Sequence, residues 1–181
     1  KADVRAWRSA LANEIGFDPN AAGPFGMLGA NVNFDATRRQ GVELDATHAL
    51  ARTIALRVNA ALREATFRAG PYTGRDVPLV PRRSVALRAD WTPAAAHRVT
   101  GGVNWVGAQH PDYANACTIP SYTTADARYA YEWQRVELSL AVGNLFDRRY
   151  YTQAFGCAAG ATTSIYPEPG RTVTAALRVK F

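Results

Sequence analysis

The chain has 181 residues, 48% of them hydrophobic, and carries 21 Lys and Arg against 15 Asp and Glu for a net charge of +6. That is apolar material enough for one core, yet every apolar run is broken by Arg, Asp, Asn or Thr well short of the ~18 residues a spanning helix needs, so a transmembrane helix is excluded. The basic residues are nearly all Arg and stand singly, without a basic helix, an RNP-like strand or zinc-finger spacing, which argues against nucleic acid as a partner.

What runs through the chain instead is alternation with period two, the mark of strands whose two faces meet different surroundings. Val4 to Ile15 is the least regular segment and is read as a first strand. Val42, Leu44 and Ala46 then oppose Glu43, Asp45 and Thr47, with Asn31 to Phe34 expected to extend the same strand above a bend. From Thr53 to Arg63 one face carries Ile54, Leu56, Val58, Ala60 and Leu62, the other Arg57, Asn59 and Arg63; a helix would scatter those arginines among the apolar residues. Val85, Leu87, Ala89 and Trp91 oppose Ser84, Arg88 and Asp90, and Val99, Gly101, Val103 and Trp105 oppose Thr100, Gly102 and Asn104. Tyr122 to Glu132, Val136 to Val142 and Thr172 to Phe181 repeat the pattern, giving about eight strands.

The links alternate in length. Short ones fall near Leu50 to Arg52, Thr92 to Ala96 and Glu132 to Gln134; long ones run from Gly16 to Ala30, Ala69 to Pro81, Ala108 to Pro120 and Asp147 to Pro169. Short turns at one end and long loops at the other are the habit of outer-membrane barrels, whose tilted strands need about 9 to 11 residues to cross the bilayer. Trp91, Trp133 and Tyr131 beside short turns, with Trp105, Tyr150 and Tyr151 near long loops, fit interfacial aromatic girdles. The expected fold is an all-β, antiparallel, up-and-down transmembrane barrel, since lipid offers no partner to an open backbone. A soluble sandwich or lipocalin-like barrel also alternates and is the alternative, although it would have to turn the Ile54, Leu56, Val58 and Leu62 face inward.

Enzymatic readings fare poorly. His48, His97 and His110 fall on three separate segments, and no HExxH or GxSxG arrangement is present to activate a nucleophile, so neither a catalytic residue nor a cofactor is expected. Cys117 and Cys157 lack metal-ligand spacing, and no metal site is expected. Both lie in long links that alternating strand direction puts at the same end of the sheet, so a disulfide on the extracellular side is predicted. Arginines on the polar face would make a field that attracts anions, unless they pair with wall carboxylates such as Glu43, Asp45, Asp90 and Glu137.

Asn144-Leu145-Phe146-Asp147, followed by Arg148-Arg149-Tyr150-Tyr151, resembles the NLFD motif of TonB-dependent receptors, and Pro169-Gly170-Arg171 resembles that family's entry into a last strand closing on an aromatic, here Phe181. Thr37 to Leu44, with its GVEL, Val77-Pro78-Leu79-Val80-Pro81 and Ile119-Pro120-Ser121-Tyr122 followed by Asp126 agree in order. The resemblance implies that residues 1–181 are the last eight or so strands of a barrel of roughly 22, with the plug domain and signal peptide lying outside this chain. It further implies a bacterial outer-membrane receptor for a ferric siderophore or similar nutrient, energised by TonB through the missing N-terminal region and inserted by the barrel-assembly machinery through Phe181. Tyr72, Arg75, His110, Tyr113 and Phe155, on long loops, are then the candidate ligand contacts. The competing reading is a complete eight-stranded barrel with a structural or lipid-modifying role.

Overall fold

A computed structural model describes residues 1–26 and 28–181; Met27, inside the first long link, lies outside the described residues. Eight strands form one antiparallel sheet: β1 (Ala2–Leu11), β4 (Thr37–Ala51), β5 (Ile54–Phe67), β6 (Arg83–Ala94), β7 (His97–Val106), β8 (Tyr122–Trp133), β9 (Val136–Gly143) and β12 (Thr172–Val179), in that spatial order. The remaining strands make two separate hairpins, β2 (Ile15–Ala22) with β3 (Leu28–Asn33) and β10 (Tyr151–Ala158) with β11 (Ala161–Pro167). Two-residue turns join β4 to β5, β6 to β7 and β8 to β9 at one end of the sheet; the long links 12–36, 68–82, 107–121 and 144–171 gather at the other.

Register carries the alternation across the whole sheet. Ala46, Val58, Leu87, Val103 and Ala125 stand opposite one another in sequence across five strands, and Ile54, Trp91, Val99, Tyr129, Leu140 and Ala175 form a second such row. One face is therefore apolar from edge to edge, and its large side chains are exposed: Val42, Leu62, Leu87, Trp91, Val103, Leu138, Leu140 and Leu177 all lack a covering layer. A soluble sheet would have to hide such a surface; a bilayer accepts it. The soluble sandwich and lipocalin readings fail on this point.

The opposite face carries the charges, and most are paired with a neighbour on the wall. Arg63 Nη2 lies 3.1 Å from Glu43 Oε1, Arg57 Nη2 3.4 Å from Asp90 Oδ2, and Arg128 Nη2 2.8 Å from Glu137 Oε1. Arg88 reaches across β7 to Asp126 at 3.1 Å, directly above Gly102, which is the residue in register with both. A Cβ on Gly102 would stand 3.1 Å from each of their polar groups, so the glycine leaves the space in which the pair forms. Gly41 of the GVEL stretch has a similar role: its register partner Trp7 lies over it, and a Cβ there would come within 2.6 Å of the Leu62 carbonyl.

Three expectations need correction. Asn31 to Phe34 does not prolong β4; Leu28–Asn33 is a strand of its own, paired with β2 above the sheet, because local alternation specifies extended backbone but not its partner. Tyr150 does not join a lipid-facing girdle, since it stacks at 4.4 Å on Tyr122, which shares the charged face through Val106 and Ser84, and the Tyr151 hydroxyl is held within its hairpin by Thr162. The complete eight-stranded barrel would need β1 paired with β12, whereas these are the two opposite edges of the sheet.

Candidate ligand-facing cap and lumen wall

The long links fold onto one another into a cap above the charged face. Its core is aromatic: Phe67, at 1% exposure the end of β5, meets Phe34 and Tyr72 at 6.0 Å and Tyr113 at 5.9 Å, while Phe34 meets Tyr113 edge-on at 5.0 Å. Burying a ring of this size contributes about 1.5–3 kcal/mol, and the edge-to-face contacts add to it. Tyr72 stacks on Tyr113 at 5.5 Å, and the Tyr113 hydroxyl donates to the Phe17 carbonyl at 3.0 Å, tying the 107–121 link to the β2–β3 hairpin. Burial pushes the Tyr113 phenol well above its ordinary pKa, so it remains a donor throughout the physiological range.

Around this core the links are cross-braced. The Asp76 carboxylate accepts from Arg82 Nε at 3.1 Å and Nη2 at 2.7 Å, which holds that guanidinium above its ordinary pKa. The Asp76 amide donates to the Asn115 side chain at 2.7 Å and Asn115 returns a bond to the Asp76 carbonyl. His110 Nδ1 lies 2.8 Å from the Cys117 carbonyl, its other nitrogen 3.9 Å from Asp76. The cysteines are joined, with Cα atoms 5.6 Å apart, fastening the 107–121 link to β10; Gln109 supports the join by donating to the Thr152 carbonyl at 3.1 Å. Asp112 lies beside both sulfurs, but sulfurs spent in a disulfide present no thiolate to a metal, and its carboxylate accepts the Ala116 amide.

The five candidate contacts thus separate. Tyr113 is buried and Tyr72 and His110 half-buried inside the cap, whereas Arg75 is exposed on its surface. Phe155 packs edge-on with Phe17 at 6.0 Å and Tyr166 at 5.1 Å, and lines with Phe17, Phe34, Arg39 and Tyr113 a cleft of ≈ 270 Å³ open between the two hairpins. Phe17, Phe34 and Arg39 escaped the sequence reading. Arg39 sits on the charged face, 2.8 Å from Glu14, and its Nε has no hydrogen-bond partner among the described residues. The one available signal was the aromatic character of positions 17 and 34 inside or beside a long link.

The motif residues explain themselves as a clasp. Asn144 and Asp147 both adopt positive φ, a region short polar side chains tolerate. Asn144 donates to the Arg148 and Pro169 carbonyls and accepts the Arg148 amide, while Asp147 accepts the Arg171 amide at 2.8 Å. The two ends of the 144–171 link are thereby tied together where β9 leaves and β12 enters the sheet. Leu145 is anchored through its amide to the Ala125 carbonyl, and Phe146 is left exposed.

Residues 1–145 match the family model described as TonB dependent receptor-like, beta-barrel. The chain belongs to that family. Family members are transport receptors of the bacterial outer membrane rather than enzymes, and that membrane is the location of this chain. It is 30% identical over 141 residues to the ferrichrome outer membrane transporter/phage receptor of Escherichia coli K12, covering 71% of this chain and 19% of that protein. It is 32% identical over 168 residues to the pesticin receptor of Yersinia enterocolitica, covering 88% and 24%. Among solved structures, the unliganded ferric citrate transporter FecA superposes with a TM-score of 0.79 at 22% identity, over 99% of this chain and 29% of that one. The ferric yersiniabactin uptake receptor FyuA from Yersinia pestis gives 0.74 at 28% identity, over 84% and 25%. The chain spans about a fifth to a quarter of the length of these curated relatives. It is a part of a barrel, as the two open edges of its sheet require.

Proposed function

We propose that residues 1–181 form the C-terminal part of the barrel of a receptor that imports a ferric siderophore or a similar chelate. The plug domain, signal peptide and TonB-contacting segment belong to the rest of the protein. The observation that carries this reading is the cap itself: four long links bound by a disulfide, an aromatic core and paired charges form one shaped extracellular surface above a charged wall. A structural barrel has no use for a surface so fastened; a receptor needs it to hold a ligand in register, and a preshaped site spares the cost of ordering loops on binding. The names of the ferrichrome transporter and of the ferric yersiniabactin uptake receptor support the same substrate class.

In this account Arg75 and Phe155 reach the ligand, Arg75 as a cation for an anionic chelate and Phe155 as an apolar wall. Tyr72, His110 and Tyr113 hold the cap that presents them. TonB supplies the energy through the region preceding Lys1, and Phe181 at the end of the last strand is read by the barrel-assembly machinery. The test is uptake of radioactive iron, supplied as a panel of ferric siderophores, by iron-starved cells with and without the full-length gene. Loss of uptake of one chelate, restored by the gene and abolished when TonB is removed, is the expected result. Unchanged uptake of every chelate would overturn the proposal.

A further inference from the structure

The segment from Cys117 to Cys157 is continuous, and of the wall it contains only β8 and β9. These two strands are joined by a two-residue turn and pair directly, from Ala127 with Val142 to Trp133 with Val136. Local hairpin pairing therefore brings both cysteines to one end without help from the rest of the barrel. Other ties of the cap reach further: the Tyr113 hydroxyl bonds the Phe17 carbonyl, 96 residues back, and Asn115 joins Asp76 of the 68–82 link. Those contacts exist only once the strands that carry the links lie side by side. A two-stranded hairpin is marginal alone but closes in about 1–10 μs, whereas disulfide formation takes seconds to hours, so repeated transient pairing lets the cysteines meet.

In the finished cap the same bond is out of reach. Cys117 is 4% exposed, its sulfur lies 3.7 Å from the Gly156 carbonyl oxygen, and Ile119 beside it is 1% exposed. Asp112, itself buried, places a carboxylate oxygen within 4.8 Å of both sulfurs. A disulfide is passed on when a thiolate attacks a sulfur of the donor's disulfide, through a mixed disulfide that needs access to both partners. A protein donor cannot form that intermediate with Cys117 beneath the closed links, and a carboxylate beside the thiols opposes the thiolate that must attack. Oxidation by a protein donor thus precedes closure of the cap, and closure waits for the wall.

We propose that the chain is a substrate of a periplasmic thiol oxidase, a protein carrying a reactive cysteine-pair disulfide, and that the Cys117–Cys157 bond is made before the barrel inserts. The thiolate of one cysteine attacks a sulfur of the oxidase's disulfide, forming a mixed disulfide and freeing one oxidase thiol. The chain's second cysteine then attacks the sulfur of the first and releases the other. Two electrons and two protons pass from the chain's thiols to the oxidase, which leaves as its dithiol. The β8–β9 hairpin enters the assembling sheet already closed at its loop end. The bond that later fastens the cap first holds the ends of two neighbouring wall strands together.

The test uses the full-length receptor in cells whose barrel-assembly machinery is depleted, so that uninserted receptor accumulates in the periplasm. Acid quenching and alkylation with a mass-tagged maleimide separate dithiol from disulfide, and heat-modifiable migration separates inserted from uninserted receptor. A Cys117→Ser/Cys157→Ser variant identifies the tags that belong to this pair. The expected result is about tenfold more disulfide than dithiol in the uninserted receptor, the reverse ratio in cells lacking their periplasmic thiol oxidase, and recovery of the bond when cystine is supplied to those cells. Free thiols in the uninserted receptor beside a bond in the inserted form would overturn the proposal, since the bond would then follow insertion. An equally complete bond in cells lacking the oxidase would overturn it as well.

Discussion

Removing the disulfide should loosen the cap without loosening the wall. Cys117 and Cys157 are 40 residues apart in sequence, and the segment between them includes β8 and β9, which the sheet holds regardless. Chain-entropy arithmetic for the residues left free to open, 117–121 and 144–157, gives about 3 kcal/mol. The noncovalent ties that would remain across the same join are few: the Gln109 bond to Thr152 and, more remotely, the contact of Phe155 with Phe17. A Cys117→Ser/Cys157→Ser variant of the full-length receptor should therefore show amide exchange in 107–121 and 151–158 faster by about two orders of magnitude, the equivalent of that free energy expressed as local opening. Exchange in 122–133 and 136–143 should be unchanged. Hydrogen exchange read by mass spectrometry resolves both regions. Equal protection of the cap segments in native and variant proteins would refute the reasoning, as would acceleration spread evenly through wall and cap.

Other changes test other joints. Val58→Arg, at the middle of the apolar face, should cost about 2–4 kcal/mol in urea unfolding from vesicles, while Asn59→Lys, one residue along and facing the charged side beside Asp45, should cost much less. Gly102→Val should displace the Arg88–Asp126 pair and lower stability by about 1–3 kcal/mol, seen as a shift of the same unfolding midpoint. Asn144→Ala with Asp147→Ala strips the clasp between β9 and β12 and should reduce the yield of heat-modifiable, folded barrel, each lost bond contributing about 1 kcal/mol or more.

The wall was legible because its signal is local and repeated. Leu56 and Arg57 differ in environment for the same reason that Val58 and Asn59 do, and the same period recurs in eight strands, so their order and two-sidedness follow from the residues alone. The cap was legible only in part. Its disulfide could be inferred because strand direction alternates, which puts the links after β7 and β9 at one end. The β10–β11 hairpin was missed: its turn is Ala159-Gly160, both at positive φ, where the usual cue is Asn-Gly or Asp-Gly, and the segment Tyr151 to Ala158 alternates weakly. Among the candidate contacts, Tyr113 and Tyr72 were picked out for being aromatic and in loops, properties shared by a ligand contact and by the small core that the loops build for themselves. Only the packing of Phe67, Phe34 and Tyr113 against one another separates the two roles.

The central claim is that one face of the sheet meets lipid and the other the lumen, so adjacent residues of a single strand must report opposite surroundings. Nitroxide labels placed singly at Leu56 and Arg57 of the full-length receptor in bilayers test it most directly. The account predicts that the label at 56 collides with dissolved oxygen and is shielded from a water-soluble nickel chelate, while the label at 57 does the reverse. A label at 57 that is lipid-exposed beside one at 56 that is aqueous would contradict both the register and the membrane assignment.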